Sequence, residues 1–195
     1  MEMDLPKLIN DKIINGYSNK TKEEVCKNLL GVYGNYAATT YFKSIYKDVD
    51  NEVSIYDESG KEITKADISF VDNENNQTFV EVKAATQILA NARNYVDDKE
   101  YEYHNLKARE LNIIKYKQIG KKLINQVTKL SSTGKKVCVV IFSGCTLDDD
   151  IKKKLEKMKV EVITLATDII SLEEEINNIV ENIHKHFQKG SKKRN

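Results

Sequence analysis

The sequence predicts an α/β domain, a mixed central β-sheet flanked by helices. Three observations carry that expectation. Residues 65–84 alternate apolar and polar on either side of a short polar stretch, as a β-hairpin does. Val137 to Phe142 is an unbroken apolar run, the pattern of a strand covered on both faces. Around these lie segments with apolar residues three and four apart, the spacing of helices that bury one side. Strands interleaved with such helices fit a layered architecture in which helices cover a sheet.

Taken in chain order, residues 1–20 are mixed, with Asn15-Gly16-Tyr17-Ser18 as punctuation. Ser18 or Asn19 is a candidate cap, and Glu23 and Glu24 suit a first helical turn, so a helix is expected from about Lys20 to Ile45. Gly31, Gly34, Ala37 and Ala38 would let another element approach closely, or the two glycines would break the helix. Val53, Ile55 and Tyr56 suggest a short strand closed by Asp57-Glu58-Ser59-Gly60. The hairpin follows, with strands Lys65–Val71 and Thr78–Ala84 about the polar turn 72–77. Side chains alternate across a strand, so Asp67 and Ser69 point opposite to Ala66, Ile68 and Phe70. For the same reason Phe79, Glu81 and Lys83 share one face, and Val80, Val82 and Ala84 the other.

Residues 86–112 carry Tyr95, Tyr101, Tyr103 and His104 among mixed charges, and either an insertion or a mobile helix pair fits them. A helix is expected over Ile113–Leu130. Its apolar stripe is Tyr116, Ile119, Leu123, Val127 and Leu130, and its polar stripe is Lys115, Gln118, Lys122, Gln126 and Lys129. Ser131 to Gly134 ends it before the apolar strand Val137–Phe142. Asp148–Met158 has acids first and lysines later, as the helix dipole prefers. Val160–Leu165 is another strand. Ser171-Leu172-Glu173-Glu174 reads as a capping box that opens a final helix burying Ile176, Ile179, Val180, Ile183 and Phe187.

Composition narrows the function. A chain of 195 residues, 40% hydrophobic and 31% charged, is expected to fold as one domain, with a core over about 28–165, a C-terminal helix in 166–187 and a basic tail at 188–195. No apolar run is long enough to span a bilayer, and the first residues lack the order of a signal peptide. Cys26, Cys138 and Cys145 have no CxxC spacing and, with three histidines, make no zinc pattern. A reducing, cytoplasmic setting is expected ahead of a secreted fragment that needs no disulfide. No GxxxxGK[ST] loop is present, which argues against nucleotide hydrolysis. The net charge of +1 hides an asymmetry: Leu111 to Lys136 holds seven lysines and no acid, and the tail adds Lys189, Lys192, Lys193 and Arg194. Charge gathered in this way suits a polyanion such as nucleic acid, although a solvated helix face and a frayed tail give the same pattern.

Chemistry concentrates on Asp67, Glu81 and Lys83. Glu81 and Lys83 are two apart on one strand, and a six-residue turn brings Asp67 of the partner strand near Glu81. Two converging carboxylates make a hard-cation site for Mg²⁺ or Mn²⁺, with the carbonyl of Val82 as a third oxygen. A lysine beside it can stabilise charge on a phosphoryl transition state or orient a water. The plainer alternative is a solvated hairpin face on which Asp67 and Lys83 pair across the strands.

Asp67 followed by Glu81-Val82-Lys83 on an apolar strand resembles the PD-(D/E)xK nuclease superfamily, whose fold is called restriction-endonuclease-like. The resemblance spans roughly Asn28 to Leu165 and includes the preceding helix, Gly31-Val32-Tyr33-Gly34-Asn35, and the later helix–strand pair. Two departures stand out. Ala66 replaces the proline of the family name. Asn35 occupies the first-helix position where many members carry a glutamate ligand, which removes one negative charge; Glu24 is an imperfect substitute. The resemblance implies a Mg²⁺- or Mn²⁺-dependent endonuclease, with Asp67, Glu81 and Val82 at the metal and Lys83 catalytic. It further implies that Gln118 supports the site and that Lys115, Lys122 and Lys129 meet phosphates. DNA is the expected substrate and RNA, in a tRNA-cleaving toxin, the alternative. A non-catalytic nucleic-acid-binding module on the same fold is the other. Restriction, junction resolution and a bacterial toxin domain are the settings that fit. A toxin would have an immunity protein as partner and would be delivered into a target cell's cytoplasm, and double-strand cutting would favour a homodimer.

Overall fold

The structure, a computed structural model, describes residues 22–84, 120–143, 145, 147 and 149–191. Helix α1 (Lys22–Ile45) leads into strands β1 (Val49–Tyr56), β2 (Glu62–Val71) and β3 (Gln77–Lys83). Helix α2 occupies 120–131. Strand β4 (Lys136–Ser143), helix α3 (Asp149–Lys157), strand β5 (Glu161–Asp168) and helix α4 (Ile169–Ser191) complete the order. The sheet has five strands in the order β1-β2-β3-β4-β5. β1, β2 and β3 form an antiparallel meander. β4 lies parallel to β3, and β5 parallel to β4. Parallel neighbours need a crossover rather than a tight turn, and α2 and α3 fall in the two crossovers. The α/β class and the mixed sheet expected from the sequence are therefore present.

The hairpin places β3 in the middle of the sheet, and its residues Thr78 to Val82 are all buried. β4 beside it is buried from Val137 to Phe142. Strand alternation assigns the helices to layers. Gly34 of α1 meets Ala84 and Phe142, which share a face with Val80 and Val82. Phe42 of α1 stacks on Phe70 at a centroid distance of 4.7 Å, and Tyr46 stacks on the same ring at 4.2 Å. α1 also packs on α4. The opposite face, which holds Glu81, is the side of α2, and α2 touches α3 where Gly120 meets Ile151.

Two turns are built by aspartates. Asp72 Oδ1 accepts from the main-chain N–H groups of Glu74 at 3.0 Å and Asn76 at 2.8 Å, with Asn75 in the left-handed region at φ 65. Lys136 donates to Asp72 Oδ2 at 2.8 Å, and this bond, ahead of the main-chain donors, holds the Asp72 carboxyl down at about 2. Asp57 caps the β1–β2 turn in the same manner, accepting from Ser59 and Lys61.

Several boundaries differ from expectation, each for a local reason. α1 runs through Gly31 and Gly34 without a break. Leu29, Leu30, Ala38 and Phe42 on either side of the glycines are buried in one core, and that burial outweighs the low helix propensity of glycine. β1 begins at Val49, earlier than Val53, because Val49 to Asn51 pair with Ile68 to Phe70. α4 begins at Ile169, so Ser171 lies inside its first turn rather than capping it. Asp168 takes the flanking position, and the Ser171 hydroxyl donates to its Oδ2 at 2.9 Å. In α2, Leu123, Val127 and Leu130 are fully buried, as their spacing requires. Cys26, Cys138 and Cys145 are buried thiols, and burial pushes the Cys138 thiol up to about 12. No helix among the described residues is long and apolar enough to cross a membrane.

Candidate active site

The hairpin register puts Asp67 and Glu81 level with one another. Partners run from Val71↔Gln77 to Ile68↔Val80, and the ladder stops there. One step further, a side chain replaces the main chain: Asp67 Oδ2 accepts the Val82 N–H at 2.7 Å. The strands part at this point, and the Asp67 carboxylate occupies the opening. β3 keeps its pairing on the other side, where Lys83 is level with Ile141 of β4. The site therefore sits at the end of β3 where only one neighbour remains paired.

Lys83 Nζ donates to Glu81 Oε1 at 2.5 Å. Both side chains lie on one face because they are two apart on a strand. Glu81 is 5% exposed, whereas the Lys83 side chain is 30% exposed, so the pair runs from the interior toward solvent. Burial raises the Glu81 carboxyl above its ordinary range; Lys83 opposes that rise and the charge of Asp67 adds to it. Burial raises Asp67 as well, against the Val82 N–H and Lys83, and the charge of Glu52 adds to the rise. Both acids are thus held at a cost that a nearby cation would reduce.

Each flanking element contributes. The Asn35 side chain of α1 offsets part of the rise that burial causes at the Asp67 carboxyl. The Thr39 hydroxyl donates to the Asn35 carbonyl at 2.7 Å and lies 2.7 Å from Asn51 Oδ1 of β1. Glu52, beside Asn51, has φ 52, the left-handed region that a glutamate seldom adopts. From α2, Gln126 Nε2 donates to the Lys65 carbonyl at 2.6 Å.

The structure brings together Asp67, Glu81, Val82 and Lys83, with Asn35 against Asp67. Lys122 and Lys129 are exposed on α2, four residues before and three after Gln126. Gln118, Lys115, the segment 86–112 and the basic tail beyond Ser191 lie outside the described residues. Gln126 was legible only as a member of the polar stripe; what marks it out is its bond to the Lys65 carbonyl of β2, which spacing alone does not fix.

Among the described residues, no group of three or more His, Cys, Asp or Glu side chains is arranged to hold a metal. The donors present are two carboxylates and the Val82 carbonyl, a hard-oxygen set that suits Mg²⁺ or Mn²⁺ with waters completing the shell. It does not suit zinc, which prefers nitrogen and sulfur. Comparisons of the chain with protein-family models, with curated proteins and with solved structures find no match.

Proposed function

We propose that this chain is a metal-dependent endonuclease of the restriction-endonuclease-like kind, hydrolysing phosphodiester bonds in DNA. One observation carries the reading: Asp67 and Glu81 lie level with one another where β2 and β3 part, with the Lys83 ammonium bonded to Glu81. The order of a helix, an antiparallel meander, a helix and a parallel strand around that point supports it.

Asp67, Glu81 and the Val82 carbonyl would hold Mg²⁺ or Mn²⁺. When bound, such an ion supplies charge neutralisation at the phosphate and lowers the pKa of water. The chain's own groups do the rest. The Val82 N–H fixes the Asp67 carboxylate. Lys83, tethered by Glu81, presents a positive charge to the phosphate oxygens as negative charge builds during attack. Water adds across one P–O bond, giving a phosphate monoester and an alcohol, and its proton goes to the leaving oxygen. Lys122 and Lys129 would bind the backbone through phosphates, which orients the strand without reading sequence.

A second reading, a nucleic-acid-binding module without catalysis, is favoured by one feature. Asn35 stands where the resembled family often has an acid, and no third acidic ligand joins the pair among the described residues. Plasmid DNA and total tRNA, each with Mg²⁺ or with chelator, beside a Glu81→Gln variant, decide between them. Cleavage of DNA that needs metal and Glu81 supports the proposal. Cleavage of tRNA alone moves the substrate to RNA, with a toxin and its immunity protein as the setting. Binding without cleavage of either leaves the module.

A further inference from the structure

The sheet has two outer strands, and they are guarded differently. β1 carries Asp50 and Glu52, enters the left-handed region at Glu52, and pairs irregularly with β2 between Ile55 and Tyr56. Charges and irregular backbone of this kind keep an edge from pairing with another chain. β5 has no second strand neighbour among the described residues. It pairs regularly with β4 from Glu161 to Leu165, and Val162 to Thr167 holds no charge, proline or glycine. The register shift at Phe142/Ser143 comes only after that stretch. Such an edge offers a row of main-chain N–H and C=O groups to a further strand. Val139 is level with Glu81 on one side and with Val162 on the other, so Val162 and Thr164 share the face of Glu81, α2 and α3. Both are exposed, Val162 to 38%.

We propose that β5 pairs with β5 of a second copy of this chain, antiparallel about a two-fold axis normal to the sheet, so that the two five-stranded sheets become one. Two features select a second copy as the occupant. The first is the edge itself. With the axis at Ile163, the middle of the regular stretch, Val162 of each copy lies opposite Thr164 of the other, and β-branched side chains suit opposed positions. The second is the charge of α3. As the crossover between β4 and β5, α3 lies over that pair of strands. The axis sets its copy antiparallel beside it at about 10 Å, twice the strand spacing and a distance at which helices pack. α3 has Asp149 and Asp150 in its first turn and Lys154 and Lys157 in its last. Antiparallel copies therefore bring each acidic end to the other's basic end. The Asp149–Lys152 pair within the helix, at 3.8 Å, is exposed and weak beside that arrangement. The axis also sets both Glu81 faces on one side of the joined sheet, about 24 Å apart across the five strand spacings from β3 to β3. On the nuclease reading, two centres would then address one nucleic acid; the pairing itself does not rest on that reading.

Sedimentation equilibrium over a concentration series should give twice the chain mass for the parent. Val162→Lys puts two like charges near the axis, at an exposed position, and should sediment as a monomer with the parent's circular dichroism. Val162→Thr, which stays β-branched, should remain a dimer. Asp149→Lys combined with Asp150→Lys should weaken the dimer by about tenfold or more at low salt, because like charges then meet across the axis. Hydrogen exchange reads the same contact in the unaltered protein. Main-chain N–H groups of β5 that point away from β4 should exchange more slowly as concentration rises, while those on the outer edge of β1 keep their rate. A parent that stays monomeric leaves the edge to a strand of some other protein and overturns the proposal. So does a dimer that persists in Val162→Lys, or one that protects β1 instead. A parent that cleaves no nucleic acid removes only the nuclease reading, and sedimentation and exchange still decide the pairing.

Discussion

Gly31 and Gly34 sit in the same helix, yet alanine should have opposite effects at the two positions. A Cβ at Gly31 would meet nothing within 4 Å, whereas one at Gly34 would lie 2.5 Å from the Ala84 Cβ and 3.2 Å from Cε2 of Phe142. In a helix interior, alanine is more favourable than glycine by about 0.8–1.0 kcal/mol, so Gly31→Ala should stabilise by roughly that amount. Gly34→Ala has the same gain but must open a carbon–carbon contact to about 3.5–4.0 Å, a shift of about 1 Å or more. Ala84 is a single methyl on the strand's own backbone and has no rotamer to swing aside. Overpacking of this kind costs about 1–3 kcal/mol, so Gly34→Ala should range from nearly neutral to about 2 kcal/mol destabilising. The difference between the two variants isolates the steric part. Urea denaturation followed by circular dichroism measures it, and for a chain of this size each kcal/mol moves the melting temperature by about 2–4 °C. Because α1 carries Asn35, Gly34→Ala should also slow cleavage. Equal stabilisation at both positions would refute the packing of α1 on the end of β3.

Asp67→Ala, Glu81→Ala and Lys83→Ala should each cut DNA cleavage by orders of magnitude while circular dichroism stays that of the parent; full activity in any one removes that residue from the mechanism. Lys122→Ala should weaken DNA binding and flatten its dependence on salt, because one phosphate contact fewer releases fewer counterions; an unchanged slope makes the lysine a solvated surface group. Asp67 and Glu81 should leave a mark on stability against pH. Their carboxyls are raised in the folded state from ordinary values of 3.8 and 4.5, so the fold holds these protons more tightly than the unfolded chain does. The stability they contribute is full below the ordinary values and is lost as pH rises through the raised ones. Denaturation across that window should give a flatter profile for Asp67→Asn combined with Glu81→Gln, and a profile identical to the parent's would contradict the raised values.

What the sequence revealed was local. Alternation over 65–84 was enough to place Asp67 level with Glu81, because a short turn fixes a hairpin's register. The apolar run at 137–142 was enough to place β4 inside the sheet. What it concealed depended on tertiary contact. Gly31 and Gly34 read alike until Ala84 and Phe142 are seen to face only one of them. Ser171 fits a capping box, yet helical geometry begins two residues earlier, at Ile169, whose side chain is fully buried. Gln126 could not be told from its neighbours in the polar stripe, since the way a helix is rotated over a sheet follows from packing rather than from period. The left-handed backbone at Glu52 has no sequence signature of the glycine kind.

The switch from antiparallel to parallel pairing at β3 divides the assembly of the site in time. Asp67, Glu81 and Lys83 meet through one short hairpin, a contact that closes with little loss of chain entropy. The partner of Lys83 in β4 is Ile141, far along the chain, and α2 with Gln126 belongs to that distant half. Pairings between remote segments form slowly. During folding the two acids would therefore be brought level before α2 and β4 dock beside them.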